Sequence, residues 1–135
     1  MRGDRHPGDV GLTYVRVRLS KGPSGPARPV RVLVDTGASI AMIPRSILEA
    51  LGVTPLRRED VELADGRLVP RDIGLVILRY EGIPYGADVI FGEGGDAALL
   101  GVITLEELGL TVDPRTGNLT RVRRMVIHAR AAAPA

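Results

Sequence analysis

The chain changes period several times, and each change predicts a short element. Across Val10–Ser20, Val15, Val17 and Leu19 share one face while Arg16 and Arg18 share the other, the pattern of a half-buried strand. Lys21–Pro29 (KGPSGPARP) is crowded with Gly, Pro and Ser and predicts a loop. Val30–Asp35 (VRVLVD) is apolar and β-branched, an interior strand with an acid at its end. Pro44 at a first helical turn, then Ile47, Leu48 and Leu51 with Gly52 as the stop, predicts a short helix. Val61–Asp72 centres on Asp65-Gly66, a dipeptide favoured in type I′ hairpins. Ile73–Tyr80, Ala87–Phe91 and Thr111–Val112 read as further strands. Thr104–Leu110 reads as a second helix, with Thr104 as its cap and Glu107 completing a capping box. Asn118–Val122 and Met125–His128 read as terminal strands. The expectation is a mainly β, closed barrel with two short helices. Residues 1–9 and 129–135 are expected to be tails around one domain, 10–128.

Composition narrows the chemistry. A 44% hydrophobic and 25% charged share in 135 residues suits one globular domain. With no Cys and only His6 and His128, disulfides, thiol chemistry and thiolate or multi-histidine zinc sites are excluded, and no metal or cofactor is expected. The apolar runs are too short for a membrane-spanning helix, and Met1–Gly11 lacks a signal-like apolar core, so the expected location is cytoplasmic, with no membrane partner. The net charge of +2 hides +5 over residues 1–31, −8 over 32–113 and +5 over 114–135. Basic ends raise the question of a nucleic-acid partner. Tyr14, Tyr80, Tyr85 and Phe91 are the only aromatics, however, and no nucleic-acid-binding signature accompanies them, so none is expected.

The strongest chemical signal is Asp35-Thr36-Gly37-Ala38-Ser39 at the end of an apolar strand. Desolvation opposes a charged carboxylate there unless it has partners. Gly37 permits a sharp bend beside the acid, and Thr36 offers a hydroxyl to a neighbouring loop. An Asp that merely ends a strand and opens a turn accounts for the Asp and the Gly but not for the whole string.

That string, within VLVDTGAS (Val32 to Ser39), resembles the active-site segment of aspartic proteases. Ala98-Leu99-Leu100-Gly101 is similar to the hydrophobic-hydrophobic-Gly element before the C-terminal helix of retropepsins. Between them, Leu63, Ala64, Asp65, Gly66 and Arg67 stand where that family has its substrate-covering flap. The order and spacing resemble one retropepsin-like lobe over Val10 to Val122, closest to the small bacterial and archaeal members. The resemblance implies an aspartic endopeptidase with Asp35 as the catalytic acid. Thr36, Gly37, Ala38 and Ser39 would support it, and the substrate would be a polypeptide. Two departures go together: many viral members have an acid where Ser39 stands and an Arg where Val102 stands, and these pair.

Carboxylate-driven peptide hydrolysis needs two acids about 3 Å apart sharing one proton. The chain holds one Asp-Thr-Gly and no second. An active enzyme is therefore expected to be a homodimer with one Asp35 from each chain. A non-catalytic dimerisation or peptide-binding module of the same fold is the rival. Three weaker readings remain. Gly37-Ala38-Ser39-Ile40-Ala41 fits a relaxed nucleophile elbow, making Ser39 a candidate serine nucleophile. Gly92-Glu93-Gly94-Gly95-Asp96-Ala97 fits a dinucleotide fingerprint, but a glycine-rich surface loop explains it as well. Phosphoryl transfer through Asp35 lacks the expected second Asp, since Gly37 stands in its place.

Overall fold

The computed structural model describes residues 12–124. Val10, the Met125–His128 strand and both tails lie outside the described residues. Strand β1 (Tyr14–Ser20) pairs antiparallel with β2 (Ala27–Val34), as the Gly- and Pro-rich loop between them demands. After the Asp35 loop come β3 (Ala41–Pro44) and helix α1 (Arg45–Ala50). A hairpin of β4 (Arg57–Glu62) and β5 (Leu68–Tyr80) leads into β6 (Ile83–Gly92). The two-residue strand β7 (Leu99–Leu100), helix α2 (Val102–Leu108), β8 (Leu110–Val112) and β9 (Leu119–Arg121) complete the chain. Pairing runs β1-β2-β7-β3-β6-β5 and returns from β5 to β1, so six strands form a closed ring. β4 hangs outside it as an edge strand, bonded to β5. The expected mainly β architecture with two short helices is the one observed.

The core follows from the alternation. Val15, Val17 and Leu19 are buried while Arg16 and Arg18 are exposed. Inside the ring they meet Val32, Leu78 and Phe91, and α1 and α2 each add Leu side chains. Burying one such side chain contributes about 1.5–3 kcal/mol, so this ring of apolar residues carries most of the stability.

Four readings are corrected. Pro44 ends β3 and acts as the N-cap of α1, because Ala41 and Ile43 alternate inward and extend the strand to the helix. Thr104 is not a cap: it is buried inside α2, whose N-cap is Gly101. The first amides of α2 are taken by carbonyls of the Asp35 loop, so no side-chain cap is required. The loop predicted through Pro29 is shorter, because β2 begins at Ala27. The Asp65-Gly66 hairpin is not type I′, which needs positive φ at both central residues. Only Gly66 is positive there (φ 85°), and Leu63 N–H donates to the Arg67 carbonyl across a three-residue loop. Asp65 instead accepts the Arg67 N–H on its side chain, which favours that wider turn. The type I′ requirement is met between β5 and β6, at Glu81 (φ 52°) and Gly82 (φ 81°).

Arg45 ties three elements together from the start of α1. Its guanidinium bonds Asp72 on β5 and Glu93 beyond β6, and lies over the Phe91 ring at 4.8 Å. Arg58 adds a second cation at Asp72, 3.0 Å away.

Two outcomes follow. A non-Gly residue in the left-handed region costs about 1–2 kcal/mol, and Asn tolerates it better. Glu81→Asn should therefore raise stability by about 0.5–1 kcal/mol in urea unfolding, net of its weak exposed pair with Arg121. Arg45 first, then Arg58, hold the Asp72 carboxyl below the usual carboxylate range. A depressed carboxyl stabilises the fold above its unfolded pKa of about 3.9, and that stability is lost as pH falls through the lower folded value. Asp72→Asn should thus lose stability at pH 7, and its melting temperature should fall less than wild type's below about pH 4.

Candidate active site

Asp35 follows the last residue of β2, and its backbone is fixed before its side chain acts. Its N–H donates to the Leu100 carbonyl (2.9 Å), continuing the parallel pairing of Leu33 with Leu99 and Val34 with Leu100. Its own carbonyl accepts the Ala38 N–H (3.1 Å), and its Oδ1 accepts the Gly37 N–H (2.9 Å). The loop thus curls around the carboxylate. Asp35 and Ala38 are half-buried, while Thr36, Gly37 and Ser39 are exposed. A Cβ on Gly37 would sit 3.2 Å from Asp35 Oδ1, so glycine keeps the acid's flank open.

The second predicted element closes on the first. Leu99 and Leu100 form β7, which lies between β2 and β3 and bonds to both. Gly101 then passes flat against the loop backbone, and the amides of Val102 and Ile103 donate to the Ala38 and Ser39 carbonyls (2.8 Å each). Any Cβ on Gly101 would overlap the Ser39 carbonyl group and lie 2.6 Å from the Ile40 nitrogen. The two motifs, sixty-odd residues apart in sequence, make one rigid unit.

A cleft of about 720 Å³ opens above this unit. Asp35, Gly37 and Ala38 line its floor together with Met42, and β4 walls it from Glu59 through Glu62. Of the hairpin residues, Leu63 and Ala64 reach the cleft; Asp65, Gly66 and Arg67 are not part of its lining. At the tip, the Arg67 N–H and guanidinium hold the Asp65 carboxyl below its ordinary range. The β4 wall was missed in the sequence because RREDVE mixes charges without a clean period. Its pairing register with β5, Asp60 opposite Pro70 and Val61 opposite Val69, is set by the hairpin.

The other candidates fare differently. Ser39 is followed by β3 rather than by a helix, and no His lies among the described residues. The elbow geometry that a serine nucleophile needs is therefore not formed. The 92–97 segment is a loop closed on itself: Asp96 Oδ2 accepts the Glu93 N–H (2.8 Å) and Arg71 Nε (3.0 Å). Burial opposes charge on Asp96, yet these two bonds outweigh it and its pKa is lowered. A carboxylate already holds the amide a phosphate would need, so the glycine-rich loop reading prevails. Among the described residues no group of three or more His, Asp or Glu could hold a metal ion, and no helix is long and apolar enough to cross a membrane.

A family model described as aspartyl protease matches residues 15–104, from β1 into α2, spanning the Asp35 loop, the hairpin and Gly101. The chain belongs to the aspartyl protease family. It is by that membership an aspartic-type endopeptidase, and its fold is retropepsin-like. EIAV protease, solved with an inhibitor, is similar in structure with a TM-score of 0.58 and 17% identity. The similarity covers 78% of this chain and 95% of that one. A retropepsin-like aspartic protease from Rickettsia conorii has a TM-score of 0.56 and 19% identity, covering 88% of this chain and 84% of its own. Among curated proteins, sequence comparison finds no match.

The Gly101 contact gives a direct check. Gly101→Ala should cost about 1–3 kcal/mol by overpacking against fixed backbone and should lower peptidase activity by displacing the Asp35 loop. Urea unfolding beside a peptidase assay measures both; unchanged values would remove the contact as a support.

Proposed function

We propose that the protein hydrolyses polypeptides with a water activated by two Asp35 carboxylates, one from each subunit of a homodimer. The observation that carries the reading is Asp35 at the floor of a peptide-sized cleft, on a loop whose bonds leave its second oxygen available. One chain supplies one such acid, so the chemistry requires a second copy. The ionised Asp35 takes a proton from water as its oxygen attacks the scissile carbonyl carbon. The protonated Asp35 gives its proton to the carbonyl oxygen. Collapse of the resulting diol breaks the C–N bond, with a proton passing to the leaving nitrogen. The free edge of β4 offers unpaired backbone groups to an extended substrate.

Exposed apolar residues beside Thr36 support self-association. Val102, Ile103 and Val122 are 37%, 44% and 49% exposed. Thr36, Val102 and Val122 also line a shallow second cleft with Val112. Of the two terminal strands expected from the sequence, the first already pairs within its own chain, Arg121 of β9 opposite Leu110. Met125–His128 lies outside the described residues. The apolar surface next to Thr36 is the better candidate for the contact.

Asp35→Asn preserves shape but cannot act as a base, so hydrolysis should fall by about 10²–10⁴ with folding unchanged. Specific activity of the wild type should rise with protein concentration to a plateau. At a ninefold excess, the Asp35→Asn chain should suppress wild-type activity about tenfold through mixed dimers. Undiminished activity in that mixture, or full activity from a monomer in sedimentation, would overturn the paired mechanism.

A further inference from the structure

The charged side chains around the cleft are of one sign. Asp35, Glu59, Asp60 and Glu62 line it, and no basic residue does. Each arginine near the wall has an acid of its own: Arg57 pairs with Glu59 of the wall, Arg58 with Asp72, Arg67 with Asp65 and Arg71 with Asp96. Glu59 is therefore already countered. Asp60 and Glu62 are exposed and have no ion-pair partner among the described residues. Across the ladder they stand opposite Pro70 and Leu68, so β5 offers them no cation. Two residues apart on one strand, they project on the same face. The cleft itself is defined independently of these charges, by the Asp35 loop and the hairpin above it.

We propose that the cleft selects polypeptide segments with Lys or Arg beside the scissile bond, and that Asp60 and Glu62 read that charge. This rests on the peptidase reading above and names its substrate class. A cationic segment meets an uncompensated acidic wall, and a two-fold dimer repeats that wall on the other side of the bond. An acidic segment meets the same wall as repulsion, so the discrimination has both an attractive and a repulsive part. The groups are exposed, which makes the preference modest and sensitive to salt.

The test is digestion of a mixed peptide library by wild type and by the Asp60→Asn/Glu62→Gln double variant, with the products sequenced. Wild type should enrich Lys and Arg over Asp and Glu within four residues of the cut by about tenfold at low salt. The double variant, and wild type at about 1 M salt, should retain only about a twofold bias. Both readouts are ratios and do not depend on the basal rate. A second arm measures fluorescence anisotropy of Lys-rich, Gln-rich and Glu-rich unstructured peptides on the Asp35→Asn protein, with and without the wall substitutions. Tighter binding of the Lys-rich peptide that disappears with those substitutions supports the proposal. Equal enrichment, a ratio unchanged in the double variant, or binding indifferent to charge overturns it. If wild type cuts no peptide, the hydrolytic reading fails, and the anisotropy ratio alone decides the charge proposal. No binding of any peptide overturns that too.

Discussion

Two strands that do not pair with each other carry the active-site loop between them. β2 delivers Asp35 and β3 receives the chain six residues after it, and both are bonded to β7. The short Leu99–Leu100 strand is therefore the wedge on which the site depends. Without it, the amide of Asp35 and the carbonyls of Ala38 and Ser39 would lose their partners together. A buried or half-buried backbone group left unpaired costs about 1–3 kcal/mol, so losing these partners would loosen the loop. The wedge holds because Leu100 is fully buried and because Gly101 lets the chain turn into α2 flat against the loop.

This constraint explains why the helix begins where it does. Thr104 and Glu107 form a valid capping pattern, but tertiary carbonyls reach the helix amides first and move the start to Val102. The same competition appears at Asp65. Its side chain captures the Arg67 N–H, and a turn with a single positive φ at Gly66 follows, whereas Glu81 accepts the strained conformation in the tighter β5–β6 connection. In each case local propensity named the right place and the wrong geometry: at α2 the deciding partners came from a distant loop, and at Asp65 from the amide two residues on.

Much of the fold was legible for an opposite reason. Where one face of a strand is buried, the period of two is written in the residues, as at Val15, Val17 and Leu19. Asp35 to Ser39 and Leu99 to Gly101 were legible as strings because each position there has a separate steric or hydrogen-bonding duty. The cleft wall was not legible. β4 is an edge strand whose residues, Val61 apart, are exposed, so no apolar period marks Arg57–Glu62. The four-residue strand β3 was too short for a period to register against Pro44 and the helix after it.

The departures at Ser39 and Val102 acquire a physical meaning from the wedge. In the retropepsin pattern that the sequence resembles, an acid and an arginine at these positions form an ion pair behind the loop. Here the two segments are joined through backbone: Val102 N–H donates to the Ala38 carbonyl and Ile103 N–H to the Ser39 carbonyl, each at 2.8 Å. A backbone bond does not titrate, so this support persists across the acidic range in which an ion pair would weaken. Val102 itself is an exposed apolar residue next to Thr36. The support seen at these positions is therefore neutral, carried by main-chain groups alone, and the surface beside Thr36 is apolar.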